Sequence, residues 1–337
     1  MRNLTVKTLA TSLILMICGL FSVPAQLSAA PPELSFPLKC TLGESCWLVN
    51  FVDRDPGPGY TDFECGAFSY NTHKGTDIAI ADDAQMRRGV AVLAAAPGLV
   101  LGTRDGMPYN TAPGGKITDG RECGNGLVID HGDGWTTQYC HMQSGSLTVV
   151  KGSTVERGTV LGRIGRSGQT EFPHLHISVK HDGTVIDPFT GDSNVGLCKA
   201  DADTSGSLWA EPIRSTLRYP GPQPYHLGFT DTRVDIEAVR AGKLNETRFA
   251  ATSPALIFWS EIFTLKAGDR ITVSLRAPDG STIGTNAYTV PSPKARLAMA
   301  ATGKKSGPTW PVGTYVGQID ITRGGITVSK SLKATVE

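Results

Sequence analysis

Four histidines and one aspartate have spacings that bring chemically useful side chains together. His174 and His176 are separated by a single residue. Alternate side chains of a β-strand point to the same face, so both imidazoles would face one space about 7 Å apart. One of them can bind a metal ion while the other stands close enough to handle a proton. His73 and Asp77 supply a further imidazole and a carboxylate, and Gly75 between them permits a close approach.

Two histidines and one aspartate fit a catalytic zinc site better than a structural one, because they leave the fourth tetrahedral position open for water. Zinc lowers the pKa of such a water from about 15.7 towards about 7, and a neighbouring histidine can take and return the proton. The helical motif H-E-x-x-H does not occur in the sequence, so separate elements must supply the ligands. Hydrolysis of an amide is the predicted reaction.

Short strands must position these residues. Runs rich in β-branched residues, divided by Gly and Asp, occur at 90–94, 98–102, 126–130, 135–141, 160–164 and 174–179. His141 ends one run, and strict alternation puts it on the face of Tyr139, opposite that of Cys140. His131, His181 and His226 are interpreted as structural residues beside turns or beyond the linker.

The cysteines indicate an oxidising compartment. Six follow residue 30, an even number, and none forms a C-x-x-C pair. This favours disulfides over a zinc ribbon, and also over a ligand role for Cys65 near His73. If Asp130 pairs with Trp135 across a hairpin, Cys140 lies opposite Asn125 and diagonal to Cys123. A Cys123–Cys140 disulfide is therefore predicted.

Residues 1–30 are predicted to be a signal peptide. Arg2 and Lys7 precede an apolar stretch at 9–23, and small residues follow at 28–30. The stretch is shorter than the about 20 residues that span a bilayer, and no later segment is long or apolar enough, so the mature protein is predicted to have no transmembrane segment. Lipid attachment at Cys18 is disfavoured because the bulky Ile17 precedes it. We expect export to the periplasm, with the medium as the alternative.

Composition and charge divide the remaining chain. The 337 residues are 40% hydrophobic and 19% charged with a net charge of +1, which excludes disorder and makes nucleic acid an unfavourable partner. Residues 31–224 carry 16 basic against 22 acidic groups, and residues 225–337 carry 14 against 9. We predict a proline-rich linker at 199–224 and a β-sandwich at 225–337.

Six ordered motifs resemble those of the lysostaphin-like, LytM-type zinc metallopeptidases that cut peptidoglycan peptides. They are HKGTDIA at 73–79, LAAAPGLV at 93–100, GLVIDHG at 126–132, YCH at 139–141, GRIGRSG at 162–168 and HLH at 174–176. The resemblance covers roughly residues 65–190, and it implies a zinc metallopeptidase domain at 65–198 that follows a cysteine-containing segment at 31–64. It implies an all-β fold, with a largely antiparallel β-sheet in the catalytic domain.

The resemblance also implies the site: His73, Asp77 and His176 as zinc ligands, with His141 and His174 as catalytic histidines. Peptidoglycan cross-links are the implied substrate. No ligand position is missing, which favours an enzyme over the first alternative, a non-catalytic activator of other wall hydrolases. The second alternative is a secreted bacteriolytic protease, because the same zinc site can cut glycine-rich peptides. The second domain looks loosely immunoglobulin-like, and its positive charge offers a surface for anionic wall polymers.

Overall fold

Antiparallel β-strands form most of the protein. The computed structural model describes residues 1, 30–109, 117, 120–193, 198, 203–303 and 307–337, so all but the two ends of the predicted signal peptide lies outside the described residues. Residues 31–337 form one compact unit. Its described elements are eighteen strands and three short helices, which confirms the all-β fold class.

The first part of the unit is built on one large sheet. Its strands lie in the order β1-β2-β9-β6-β5-β4-β7, with β10 added to β9, and β3 pairs with β8 in a small separate sheet. All six strand runs predicted here are present. The elements are β1 (Trp47–Asn50), β2 (Thr76–Ala79), α1 (Asp83–Arg88), β3 (Ala91–Leu93), β4 (Gly98–Arg104), β5 (Asn125–Gly132), β6 (Trp135–Met142), β7 (Thr154–Val155), β8 (Val160–Arg163), β9 (His174–His181) and β10 (Thr184–Ile186).

Strand β9 shows how the sheet separates core from site. Leu175, Ile177 and Val179 are buried in the hydrophobic core. His174 and His176 alternate with them and therefore lie on the opposite face. The core anchors the strand through one set of side chains, and the other set is left for the site.

The hairpin of β5 and β6 differs from the predicted register. Asp130 pairs with Thr136, not with Trp135, and Asn125 pairs with Met142. The ladder is irregular near both ends of the hairpin. A bulge adds one residue to one strand. Pairs counted outward from the turn are therefore wrong by one position after the first irregularity and by two after the second.

The predicted disulfide is confirmed although its predicted register is wrong. Cys123 is bonded to Cys140, which joins the segment before β5 to β6. Cys65 is also in a disulfide, as expected, with Cys198 as its partner. A third disulfide joins Cys40 to Cys46.

The second part of the unit is the predicted β-sandwich. One sheet has the order β11-β13-β16 and the other β12-β18-β17-β14-β15. Phe258, Ile262, Val273 and Ile319 are among the residues of the core that both sheets supply. The elements are α2 (Ile213–Thr216), β11 (Gln223–Thr230), α3 (Ile236–Arg240), β12 (Arg248–Phe249), β13 (Ile257–Leu265), β14 (Arg270–Arg276), β15 (Thr282–Thr289), β16 (Lys294–Thr302), β17 (Gly313–Arg323) and β18 (Ile326–Val336).

The large sheet and the sandwich share a third, smaller hydrophobic cluster. Trp47, Val49 and Ala79 pack with Tyr225 and Phe263. The sandwich therefore covers the β1 and β2 side of the sheet. The exact domain limits, and independent folding of the two parts, stay a prediction. Among the described residues, none of the helices has the length and apolar character needed to cross a bilayer.

Candidate metal centre and active site

Three predicted ligands come together where β2 and β9 pair. Asp77 and His176 are direct cross-strand neighbours, and His73 lies just before β2. His73 Nε2 is 3.1 Å from Asp77 Oδ1 and 3.0 Å from His176 Nδ1, and the last two atoms are 2.8 Å apart. We call these three residues the metal cluster. Within the part of the chain that the structure describes, it is the one group of three or more His, Cys, Asp or Glu donors close enough to hold a metal ion.

Each member of the metal cluster is held by a second partner on its far side, an arrangement that orients ligands in metal sites. The bonds are His73 Nδ1 to the Phe51 carbonyl at 2.6 Å, Asn50 Nδ2 to Asp77 Oδ2 at 2.9 Å and His176 Nε2 to Ser178 Oγ at 3.0 Å. These bonds leave one donor atom of each residue directed at the other two.

The donor set fits a divalent cation such as zinc. A carbonyl oxygen only accepts hydrogen bonds, so the proton of neutral His73 is on Nδ1 and Nε2 presents a lone pair. Lone pairs of two imidazoles and a carboxylate oxygen facing each other require positive charge between them. Two nitrogens and one oxygen are donors that zinc prefers, and three protein ligands leave a fourth position open.

Gly75 is required by the close packing at this centre. A Cβ atom at Gly75 would lie 2.7 Å from His176 Nε2 and 2.5 Å from the carbonyl oxygen of Ile177. Any other residue would displace the His176 imidazole or strand β9. The close approach predicted from the His73-to-Asp77 segment is therefore present.

Two further histidines lie beside the metal cluster. The ring centroids of His141 and His174 are 4.7 Å apart, and His141 is 5.8 Å from His176. His141 Nδ1 is 2.9 Å from the Ser167 carbonyl, and His174 Nδ1 is 2.9 Å from the Phe172 carbonyl. Each carbonyl requires a proton on Nδ1, so in the neutral rings Nε2 is the atom that can accept one.

His141 reaches this face through an unusual backbone conformation. Its φ is 65°, in the left-handed region that non-glycine residues rarely adopt. The prediction that His141 shares the face of Tyr139 is wrong: Tyr139 is in the core, whereas the His141 ring contacts His174 and His176. The turn in the backbone interrupts the alternation of β6. Such strain is often found at functional sites.

Burial keeps His141 neutral. It lowers the pKa of His141 well below the usual range, and the neighbouring His174 and His176 act in the same direction. For Asp77, burial alone would raise the pKa, but the charges and hydrogen bonds of the surrounding histidines outweigh it and lower the pKa well below the usual range. The arrangement therefore combines an anionic ligand with a neutral imidazole that can accept a proton.

Residues 71–188 match the family model described as peptidase family M23. We refer to this matching segment as the M23 domain. It contains the metal cluster together with His141 and His174. Peptidoglycan DD-endopeptidase ShyA of Vibrio cholerae is 35% identical over 104 residues, which cover 31% of this chain and 19% of ShyA. The chain thus spans about a fifth of the length of that curated relative.

Two solved structures are similar to part of this chain. A zinc-containing peptidase from Vibrio cholerae has 26% identity and a TM-score of 0.28, covering 42% of this chain and 39% of that one. The catalytic domain of lysostaphin from Staphylococcus simulans has 24% identity and a TM-score of 0.25. The match covers 39% of this chain and 86% of the lysostaphin domain.

All five site residues named from the sequence are brought together in the M23 domain, but their supporting partners were not predicted. Ser178 is two residues after His176 on one strand, so alternation could have indicated it. Asn50 is 27 residues from Asp77 and carries no local signal. His226, interpreted from the sequence as a structural residue beyond the linker, is buried between Asp82 and Glu261, and neither of these partners was predicted.

Proposed function

We propose that this protein is an exported zinc endopeptidase that hydrolyses peptide cross-links of peptidoglycan. The observation that carries the proposal is the convergence of three candidate metal-ligand atoms with two neighbouring histidines, each of which has Nδ1 bonded to a backbone carbonyl. ShyA, named a peptidoglycan DD-endopeptidase, supports the choice of substrate through its 35% identity over 104 residues. Export to the periplasm, or to the medium, is proposed from the predicted signal peptide.

His73, Asp77 and His176 would hold the zinc ion. When bound, zinc would polarise a substrate carbonyl and lower the pKa of a water molecule. Asn50, Phe51 and Ser178 would keep the three ligands oriented, since each bonds the atom that faces away from the ion.

His141 and His174 would move protons. With Nδ1 bonded to a backbone carbonyl, each ring is fixed in one orientation and can accept a proton at Nε2. One would act as the general base towards water. The other, in its protonated form, would donate from Nε2 to the oxyanion that develops on the carbonyl. Returning the proton to the leaving amine completes the hydrolysis.

Digestion of purified sacculi tests the proposal. The mature protein should release peptides with new amino groups inside the stem peptides, identified by mass spectrometry. A chelator should stop the release and added zinc should restore it. Freed intact stems would indicate an amidase. Equal release with and without the chelator would contradict zinc dependence. Sacculus binding with no peptide release and no bound zinc would indicate a non-catalytic activator instead.

Two histidine variants separate catalysis from metal binding. His141→Ala should keep about one zinc per chain and lose peptide release, because His141 is not in the metal cluster. His181→Ala is the matched control: His181 lies on β9 and stacks on Trp135, away from the site, so release should continue. A His141→Ala protein that digests sacculi at the wild-type rate would refute the catalytic role. Release only from glycine-rich peptides would favour a bacteriolytic protease.

The sandwich is proposed to hold the enzyme against anionic wall polymers. Residues 225–337 carry 14 basic against 9 acidic groups, a surplus of positive charge. Binding of this kind should weaken as salt rises, because mobile ions screen exposed charges. Co-sedimentation with purified wall polymer over a salt series would measure it. Binding that does not change with salt would contradict it.

A further inference from the structure

A short turn before β9 controls the orientation of His174. His174 Nδ1 is 2.9 Å from the Phe172 carbonyl oxygen and 3.1 Å from Thr170 Oγ1. The Thr170 hydroxyl in turn donates to the Phe172 carbonyl at 2.7 Å, and the Phe172 N–H donates to Thr170 Oγ1 at 3.3 Å. A shift of Phe172 would therefore move the atoms that hold the His174 ring.

The side chain of Phe172 lies between the site and the sandwich. Its ring centroid is 4.7 Å from that of His174. From the sandwich, the Arg296 guanidinium carbon lies 5.0 Å from the Phe172 ring centroid, and the Phe263 ring centroid is 5.9 Å away. A guanidinium this close to an aromatic ring is attracted by the ring's negative face. The sandwich thus contacts the residue that orients His174.

Arg296 is itself held in place. It lies on β16 directly opposite Phe263 of β13, and its side chain is 11% exposed. Arg296 Nε is 3.9 Å from Oε1 of the buried Glu261. The Tyr225 hydroxyl donates to the other oxygen of Glu261 at 2.8 Å. The guanidinium therefore meets Phe172 as part of a fixed surface.

We infer that Arg296 is a positioning residue for His174, through which the sandwich completes the active site of the M23 domain. The inference rests on the proposed function, because it concerns the orientation of a proposed catalytic histidine. The metal cluster has other partners, in Phe51, Asn50 and Ser178. Loss of Arg296 should therefore reduce turnover while leaving zinc binding intact.

The test compares substitutions of Arg296 in the full mature chain loaded with zinc. Arg296→Met should lower kcat by about tenfold with little change in KM, since small misplacement of a catalytic group slows the chemical step. Arg296→Lys keeps a cation above Phe172 and should recover most of the turnover. Arg276→Met is the control, because Arg276 is exposed on β14. All three variants should bind one zinc per chain.

The second readout does not require activity. In NMR spectra of the imidazole groups, the proton that His174 Nδ1 donates to Phe172 should shift in Arg296→Met and stay unchanged in Arg276→Met. The His141 Nδ1 proton, bonded to the Ser167 carbonyl, is the internal reference and should not move. The His174 signal is assigned by its loss in His174→Gln.

Phe172→Leu gives an independent route if Arg296→Met fails to fold, because it removes the ring and leaves the Glu261 contacts intact. It should shift the same His174 signal and lower kcat. The inference would be overturned if Arg296→Met and Phe172→Leu kept the wild-type kcat and left the His174 signal unshifted. A higher KM at constant kcat in these variants would also overturn it. If wild-type protein releases no peptide, the proposed function fails, and the NMR signal alone still decides whether Arg296 positions His174.

Discussion

Two buried clusters of histidine and carboxylate groups lie in this protein, and they differ in what they can do. The metal cluster is His73, Asp77 and His176, within the M23 domain. The second, which we call the junction cluster, is His226 with Asp82 and Glu261, where the sandwich meets α1 and β2. Asp82 also caps α1, accepting a hydrogen bond from the Gln85 N–H at 2.6 Å.

The difference lies in where the donor atoms point and which charges surround them. In the metal cluster, three donor atoms lie within 3.1 Å of one another. In the junction cluster, each His226 nitrogen faces a separate carboxylate, Nε2 at 3.3 Å from Asp82 and Nδ1 at 3.6 Å from Glu261. Arg240 and Arg296 lie within 3.9 Å of Glu261 and supply further positive charge.

The comparison separates a metal site from an ion-pair network. In the metal cluster, the donor atoms converge and outer hydrogen bonds orient them, so the cluster can bind an external cation. The junction cluster contains its own cations. Histidine and carboxylate composition alone does not distinguish the two. The direction of each donor atom and the nature of its second partner do.

The largest expected effect is on the metal cluster. Asp77→Asn should remove bound zinc and lower peptide release more than about 100-fold, because loss of a direct ligand exceeds the effect of losing an outer partner. Zinc content after dialysis and sacculus digestion measure both effects. The same change in the junction cluster, Asp82→Asn, should leave one zinc per chain. Loss of zinc in Asp82→Asn would break the distinction between the clusters.

The next effect is on stability at the junction cluster. Glu261→Gln should lower the free energy of unfolding by about 3–5 kcal/mol, because it leaves buried cations without their carboxylate. Urea denaturation followed by tryptophan fluorescence measures it. Glu237→Gln is the control, since exposed Glu237 pairs with Arg240 on the surface and should change stability by less than about 1 kcal/mol. If Glu261→Gln and Glu237→Gln lowered the free energy of unfolding equally, the ion-pair network at the junction cluster would be contradicted.

The sequence predicts the metal cluster well because its signals are local. Alternation along β9 puts His174 and His176 on one face, and the core residues between them fix which face that is. The His73-to-Asp77 segment lies directly before and within a short strand, so local spacing indicates two candidate ligands, whereas the choice of His176 over His174 as the third comes from the family resemblance. For the same reason the strands that surround the site are predicted close to their observed bounds.

Two features could not be predicted from local pattern. His141 reaches the site only because its backbone turns into the left-handed region, and nothing in its neighbours requires that conformation. The junction cluster joins Asp82 to His226, which are far apart in the chain and meet only when the sandwich packs against the sheet. Both depend on tertiary packing that overrides the strand pattern.

A smaller effect concerns the outer partners of the metal cluster. Ser178→Ala removes the acceptor of the His176 Nε2 proton and should weaken zinc binding by about 10- to 100-fold. Competition with a chromophoric chelator measures the affinity. Ser331→Ala, at an exposed position on β18, is the control and should leave the affinity unchanged. Unchanged affinity in Ser178→Ala would show that the ligands are oriented without this bond.

The smallest effect is the pH dependence of the junction cluster. Burial acts to lower the pKa of His226, but Asp82 and Glu261 outweigh it and raise the pKa to about 8. A raised pKa in the folded state means that protonated His226 stabilises the fold. This contribution is complete below about pH 6.5 and is lost as the pH rises through about 8; at most it amounts to about 2 kcal/mol.

His226→Gln tests this dependence, with unfolding free energies of variant and wild type measured from pH 6 to pH 9 at the same zinc concentration. The wild-type advantage should shrink as the pH rises. The metal cluster should respond in the opposite direction, because protons compete with the metal for its ligands and zinc affinity falls as the pH falls. A wild-type advantage that grows towards pH 9 would mean that His226 is neutral in the folded protein, and the junction cluster would then not contain its own cation at this position.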